Sequence, residues 1–453
     1  MGWQAGAAAV VITPPVGGEL EGYGGRTDPS TGVHDDLLAR ALVLEDGERR
    51  AGLVTCDLIS VDAPIVAAVR REVQAQWGIP PERLMVTATH THAGPRGVLH
   101  LRTAGDPDLT AFTTRAISGA LRAAAGQIAP ARLMAGAGNI DSVSLNRRFV
   151  DRPVDSTVRV LRVEGEDGAL RAALLNYACH PTVLSARNLR ISQDWPGAAA
   201  RAIQKLWGDE VVVLVANGAC ADVNPVKITE DFDEVRRVGT IVGAEASRVL
   251  GELAAHGRRQ VVHNLRWSEH TLKAPSVGVE VSPDLAGAIV PVTLPWKQFA
   301  SDEDYRARVA GLRAEAAAIP AGEAGLEQRR ALMPRLTALS TEAGTAAWGR
   351  RALVEHPHGF QTEVQALRLG PEALFVGLPG EVMVAIGDAV RRQSAAPETF
   401  VLGYANDAAG YLVTDATHDE LGYEAGCTLF TRDVQAILAG AAQQALTQIG
   451  GAR

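Results

Sequence analysis

Residues 84–95 read LMVTATHTHAGP. Six apolar or threonine residues run into His90-Thr91-His92, and Gly94 and Pro95 then stop the run. A short run rich in β-branched types with such an ending reads as a buried strand. This one delivers two imidazoles at its carboxyl end. Just upstream, 51–56 is a second strand-like run. Between the two, Ile65, Val69, Val73 and Trp77 recur at every fourth position before Gly78 and Pro80 close a helix. Strand, helix, strand is the unit of an α/β fold.

Outward from this unit the alternation continues. Residues 7–12 read as a first strand that ends at Thr13-Pro14-Pro15. Leu109, Phe112, Ala116 and Leu121 mark a helix. The runs 158–163 and 172–178 pair across the turn Glu166-Asp167-Gly168. Asp194 stands where a helix cap belongs, with Pro196 in the first turn. Five consecutive apolar residues, 211–215, predict a strand covered on both faces. Further strands are expected over 363–369 and 373–377, and a last helix over 433–449. The expected architecture is an α/β fold, a mixed β-sheet core flanked by helices, forming one catalytic domain over 1–453. Residues 301–349, rich in Ala, Glu and Arg, predict a helical insertion of two segments split near Pro320.

Composition removes several function classes. Of 453 residues, 47% are hydrophobic and 21% charged, as expected of a folded globular chain. The formal net charge is −8 and no Lys/Arg-rich run occurs, which argues against a nucleic-acid partner. No run reaches the roughly 20 apolar residues of a membrane helix. Cys56, Cys179, Cys220 and Cys427 form no CxxC pair, so buried reduced thiols are expected rather than a cysteine metal site.

Ligands in open α/β sheets sit at the carboxyl ends of strands. The residues that follow the apolar runs are His90 and His92; then His180-Pro181; then residues 217–225 with Asp222; then Glu381; then Tyr404 to Asp407 and Tyr411. Imidazole nitrogen with carboxylate oxygen is a donor set for Zn²⁺. His-x-His on an extended segment turns both rings to one side. Both rings can then be ligands, or one can bind while the other contacts substrate. Each residue also has a structural alternative: a hydrogen-bonded core histidine for His180, a packed aromatic for Tyr411, and for Glu381 the favourable N-terminus of a following helix. Other hydrolase signatures are missing. Position 94 is Gly where a metallo-β-lactamase pattern wants Asp, and neither HExxH nor GxSxG occurs.

In combination these residues resemble the neutral/alkaline, non-lysosomal ceramidases and their shorter bacterial relatives. Thr13-Pro14 and Gly22-Tyr23 are similar to that family's opening, and Gly32-Val33-His34 with Ala39-Arg40-Ala41 to its next element. Residues 88–95 are similar to its most diagnostic motif. Asn146-Arg147, His180, Asp222-Val223-Asn224-Pro225, Pro379-Gly380-Glu381 and Tyr411-Leu412-Val413-Thr414 follow in family order. Residues 423–428 resemble the closing motif. The resemblance implies a zinc amidase with one Zn²⁺ held by His90, His180, Glu381 and Tyr411. It also implies that the metal acidifies a water to a pKa of about 7 for attack on an acyl carbon. His92, Arg147 and Tyr423 would line the reacting carbonyl, with Asn224 and Gly94 beside the substrate. An oxyanion donor among the first three is worth about 3–4 kcal/mol. His92 would protonate the leaving amine, with Asp194 or Asp222 as base, or Asp222 orienting a neighbour.

Two departures from the family shape the expectation. Ceramidases carry serine in an Asp-x-Ser-Pro motif where this chain has Asn224. An amide can donate a hydrogen bond but cannot become an alkoxide, so a water mechanism is untouched while the fit to ceramide weakens. The chain also ends at Arg453 without the ceramidases' C-terminal sandwich domain, and its N-terminus lacks a secretion signal. The expectation is a short bacterial member of the family, cytoplasmic, acting on a small-molecule or lipid-like acyl substrate. Alternatives are a zinc esterase, lactonase or deacetylase on a small polar substrate, and a metal-binding homologue without turnover. A homo-oligomer is left open.

Overall fold

A computed structural model describes residues 2–98, 105–256, 259–264, 268–273 and 278–453, with the backbone alone for 259–264 and 268–273. The first sheet contains β1 (Trp3–Val11), β2 (Leu38–Glu45), β3 (Arg50–Cys56), β4 (Leu84–Ala88), β5 (Ala129–Asn139), β6 (Thr157–Gly165), β7 (Leu170–Tyr177) and β8 (Val212–Asn217). Their spatial order is β8-β7-β6-β5-β1-β2-β3-β4, and the short strand Val279–Glu280 adds to β5. β4 runs parallel to β3, and β8 parallel to β7; the other pairs are antiparallel. A second sheet orders β9 (Ala286–Leu294), β10 (Phe360–Gly370), β11 (Ala373–Gly377) and β12 (Glu398–Leu402), with the last two parallel.

Strand periodicity explains how the sheets stack. Alternate residues of a strand face opposite sides. In β2, Ala39, Ala41 and Val43 join one apolar cluster while Leu42 and Leu44 join another. The same split separates Val86 from Met85 in β4, and Val213 and Val215 from Leu214 and Ala216 in β8. One set faces helices: α1 (Ala63–Trp77) and α2 (Pro107–Ala125) over one half of the sheet, α3 (Trp195–Trp207) and α4 (Phe232–Ala254) over the other. The other set meets Leu367, Phe375, Phe400 and Leu402 of the second sheet, where Phe375 and Phe400 stack with centroids 4.5 Å apart. Beyond the second sheet lie α7 (Val384–Gln393) and α8 (Val434–Gln448).

The α/β class thus stands, and so do the expected strands and helices; the layering differs from a single flanked sheet. Helices cover one outer face of each of two stacked sheets. A continuous apolar run says that both faces are buried, not by what. Over the 301–349 stretch the chain forms α5 (Asp302–Ala318) and the 30-residue α6 (Leu326–Glu355), joined through a small cluster of Tyr305, Val309, Leu339 and Ala346. Among the described residues no helix is long and apolar enough to cross a membrane, and all four cysteines are free and buried.

Candidate metal centre and adjoining cleft

β4 ends at Ala88, and Thr89 N still donates to Cys56 O at 2.8 Å. At His90 the backbone then turns to φ 68°. That left-handed conformation costs an L-residue about 1–2 kcal/mol and is typical of functional sites. The His90 ring is held by Nδ1, which lies 2.7 Å from Ile59 O. A carbonyl can only accept, so Nδ1 carries the proton and Nε2 presents its lone pair. His180 follows β7 and is fixed in the same way, with Nδ1 at 2.7 Å from Cys220 O and 3.0 Å from Val223 O. Asn217, at the end of β8, ties the two histidine segments together by donating from Nδ2 to Thr89 O and Cys179 O, both at 3.1 Å.

Glu381 enters from the second sheet. Glu381–Val382 pairs in parallel with Tyr411–Leu412, so Glu381 and Tyr411 stand side by side. Gly380 permits this: a Cβ there would lie 2.6 Å from Gly410 O, at φ +157°. Glu381 Oε2 is 3.5 Å from His180 Nε2 and 3.7 Å from His90 Nε2. His92 Nε2 lies 3.2 Å from His90 Nε2. The donor nitrogens of His90, His92 and His180 all fall within 4.8 Å of one another.

Titration in this pocket splits the imidazoles. Burial alone would lower His180, but the contact with Cys220 and the Glu381 carboxylate outweigh it and bring the ring to about 9. Burial, reinforced by His90 and His180, holds His92 well below the ordinary imidazole range. A proton on the His180 side of the cluster therefore balances Glu381, and a metal ion at the same point would displace it.

Three residues not expected at the centre hold it in place. Gly22, at φ +110°, presses on the His92 ring so closely that a Cβ would meet His92 Cγ at 2.5 Å. Tyr23 sits edge-on to the same ring at 4.8 Å. Tyr404, also at positive φ (54°), stacks on His90 with centroids 4.0 Å apart, and its hydroxyl lies 3.2 Å from Cys220 Sγ. Cys220 O is the acceptor that fixes His180, so Tyr404 touches both histidine supports. Gly22-Tyr23 was legible as a motif and Tyr404 as a strand-end residue; neither carried a signal that it abuts an imidazole.

Arg147 links the centre to a cleft. Its backbone N donates to Asp222 O at 2.8 Å, within the pairing of Ser144–Asn146 with Val223–Pro225. Its Nη2 donates to the Tyr411 hydroxyl at 3.0 Å, Nη1 to Asn224 Oδ1 at 3.3 Å, and Nε to Glu424 Oε1 at 2.7 Å. Burial raises the Tyr411 phenol well above its ordinary range while Arg147 pulls it down. Tyr423, at the start of the helix Tyr423–Cys427, is edge-on to Tyr411 at 5.7 Å. Arg147, Asn224 and Tyr423 line a cleft of about 590 Å³ whose opposite wall is α6.

Three expected site residues point elsewhere. Asp194 is engaged with the backbone, accepting from Trp195 N at 2.6 Å and Leu184 N at 3.0 Å, and so serves as the predicted helix cap; burial lifts its carboxyl to about 7. Both Asp222 oxygens are taken, one by Asn146 Nδ2 and one by Val384 N, each at 3.0 Å. Gly94 is buried, and its carbonyl accepts from Glu21 N at 3.0 Å.

A family model described as neutral/alkaline non-lysosomal ceramidase, N-terminal, matches residues 3–225. A neutral ceramidase of Mycobacterium tuberculosis is 25% identical over 474 residues, covering 91% of this chain and 71% of that protein. One of Pseudomonas aeruginosa is 24% identical over 468 residues, covering 91% of this chain and 66% of the relative. The chain thus spans roughly two thirds of the length of these relatives. A crystal structure of neutral ceramidase from Pseudomonas aeruginosa superimposes with a TM-score of 0.75 over 99% of this chain and 75% of that chain, at 20% identity, a likeness of fold.

Proposed function

We propose that this chain, similar to the neutral/alkaline non-lysosomal ceramidases over residues 3–225 and to a neutral ceramidase over 91% of its length, is a zinc-dependent hydrolase of N-acyl amides. One observation carries the metal: His180 Nε2 is fully buried and has no hydrogen-bond partner among the described residues, amid two further imidazoles and a carboxylate. Its proton meets Glu381 Oε2 only at an N···O distance of 3.5 Å, longer than a normal N–H···O hydrogen bond, and metal coordination would satisfy the nitrogen directly. The spacing also fits. Zn–N and Zn–O bonds of about 2.0–2.2 Å in a tetrahedron separate neighbouring donors by roughly 3.3–3.5 Å. The His90–Glu381 and His180–Glu381 separations are 3.7 and 3.5 Å.

In this reading His90, His180 and Glu381 hold the ion, with Tyr411 as the fourth ligand. A zinc ion held there would supply Lewis acidity and lower the pKa of water to about 7. Arg147 favours ionisation of the Tyr411 phenol by donating to its oxygen. Arg147 and Tyr423 offer donors to the acyl oxygen as it gains charge, and Asn224 faces the substrate. His92, kept neutral by burial, can accept a proton at its free ring nitrogen as the water attacks and pass it on to the leaving nitrogen. Residues 1–453 act as one catalytic unit, with 301–349 as an insertion that walls the cleft. A second reading makes His92 a third imidazole ligand; its 3.2 Å separation from His90 favours it.

The test is metal analysis of the purified protein with parallel assays on an N-acyl amide and its matched ester. About one zinc per chain is expected, with activity lost on chelation, restored by zinc, and greater on the amide. Protein that takes up no metal and whose activity ignores chelator would refute the proposal; preference for the ester would move the chain to the esterase class.

A further inference from the structure

The cleft beside Arg147 has a chemistry of its own. Its α6 wall is formed by Arg330, Met333, Pro334 and Thr337. These positions are i, i+3, i+4 and i+7, one face of a helix. The face is locked toward the cleft because Pro334 O accepts from Gly422 N at 3.1 Å, next to Tyr423. Phe149, Met333, Pro334 and Leu421 make part of the lining apolar.

The charges of the lining do not balance. Arg147, Arg148 and Arg330 face Glu420 and Glu424. Each carboxylate is already gripped by two guanidiniums: Glu424 by Arg147 and Arg148, Glu420 by Arg148 and Arg152. Arg330 has no ion pair or hydrogen bond among the described residues, although it lines the cleft. One guanidinium thus stands unneutralised over an amphipathic cleft that also contains Arg147, Asn224 and Tyr423.

We propose that this cleft is a subsite for the anionic end of an amphipathic N-acyl amide, such as one bearing a carboxylate, and that Arg330 recognises that group. The proposal rests on the hydrolase reading for its substrate, but not for its binding chemistry. A guanidinium matches a carboxylate through two parallel N–H donors, while Phe149, Met333 and Leu421 accept an acyl or alkyl portion. Arg330 is a specificity residue here, and nothing requires it for the reaction at the metal.

The probes are N-octanoylglycine and its neutral amide N-octanoylglycinamide, with wild-type protein, Arg330→Gln and Arg330→Lys. A partly solvated ion pair is worth up to about fivefold in affinity. Wild-type kcat/KM is expected to favour the acid by about that factor, chiefly through KM, and the preference should shrink with added salt. Arg330→Gln should equalise the two probes by lowering only the acid's value, and Arg330→Lys should restore part of the difference. Calorimetric titration of both probes reads the same preference without turnover. If neither probe is hydrolysed but the acid binds more tightly and Arg330→Gln abolishes the difference, the hydrolase reading falls and the subsite stands. Equal binding of the two probes by wild type, or a preference untouched in Arg330→Gln, overturns the subsite.

Discussion

On the proposed reading, replacing Gly22 by alanine should abolish turnover while sparing zinc binding. The new Cβ would lie 2.5 Å from His92 Cγ, 2.6 Å from Nδ1 and 2.8 Å from Cβ. Unstrained carbon contacts fall at about 3.5–4.0 Å, so ring or loop must move by about 1 Å. The ring cannot simply retreat, with His90 Nε2 at 3.2 Å from its own Nε2 and Tyr23 edge-on at 4.8 Å. Alanine also suffers at φ +110°, a strain on the order of 1–3 kcal/mol. A misplacement of about 1 Å in a reacting group can cost about 10²-fold in rate. Gly22→Ala should therefore lower kcat on an N-acyl amide about 10²-fold and reduce unfolding stability by about 1–3 kcal/mol. Zinc content by mass spectrometry should remain near one per chain. Wild-type kcat in this variant would refute the argument that Gly22 positions His92. Loss of zinc together with activity would instead make His92 a metal ligand.

Tyr404→Leu removes both the plate beneath His90 and the hydroxyl at Cys220; zinc affinity in competition with a chromophoric chelator should fall about 10–100-fold, with Tyr404→Phe losing less, and an unchanged affinity would reduce the stacking to mere packing. Burial lifts the Asp407 carboxyl to about 7, above its unfolded value of about 3.9, so the folded state favours the protonated acid. Its contribution is fully present below about pH 4 and is lost as pH rises to about 7, roughly 4 kcal/mol at most. Asp407→Asn should flatten that part of the stability profile, read as urea midpoints between pH 4 and 8, and a profile as steep as wild type would contradict it.

Much of the local structure was legible because its causes are local. Gly78 and Pro80 end α1, Asp194 caps α3, and the short apolar runs became strands. These outcomes depend on backbone sterics and side-chain spacing within a few residues. The candidate donors were legible too, since His90, His180 and Glu381 each follow an apolar run. Less legible was which carboxylates face the centre. Asp222 follows an apolar run much as Glu381 does, and Asp194 stands at a helix start, yet the oxygens of both go to backbone N–H groups and Asn146.

By itself, then, the sequence determined the elements, their faces and the stock of nitrogen and oxygen donors. Only the tertiary structure decided that the sheet splits into two stacked layers, because an apolar face does not specify whether a helix or another sheet will cover it. Only the tertiary structure, likewise, set His90 Nε2 3.7 Å from Glu381 Oε2, Gly22 against His92, and α6 opposite Arg147. Those separations join residues tens to hundreds of positions apart. They follow from how whole layers pack, and the spacing of residues along one chain segment holds no measure of that distance.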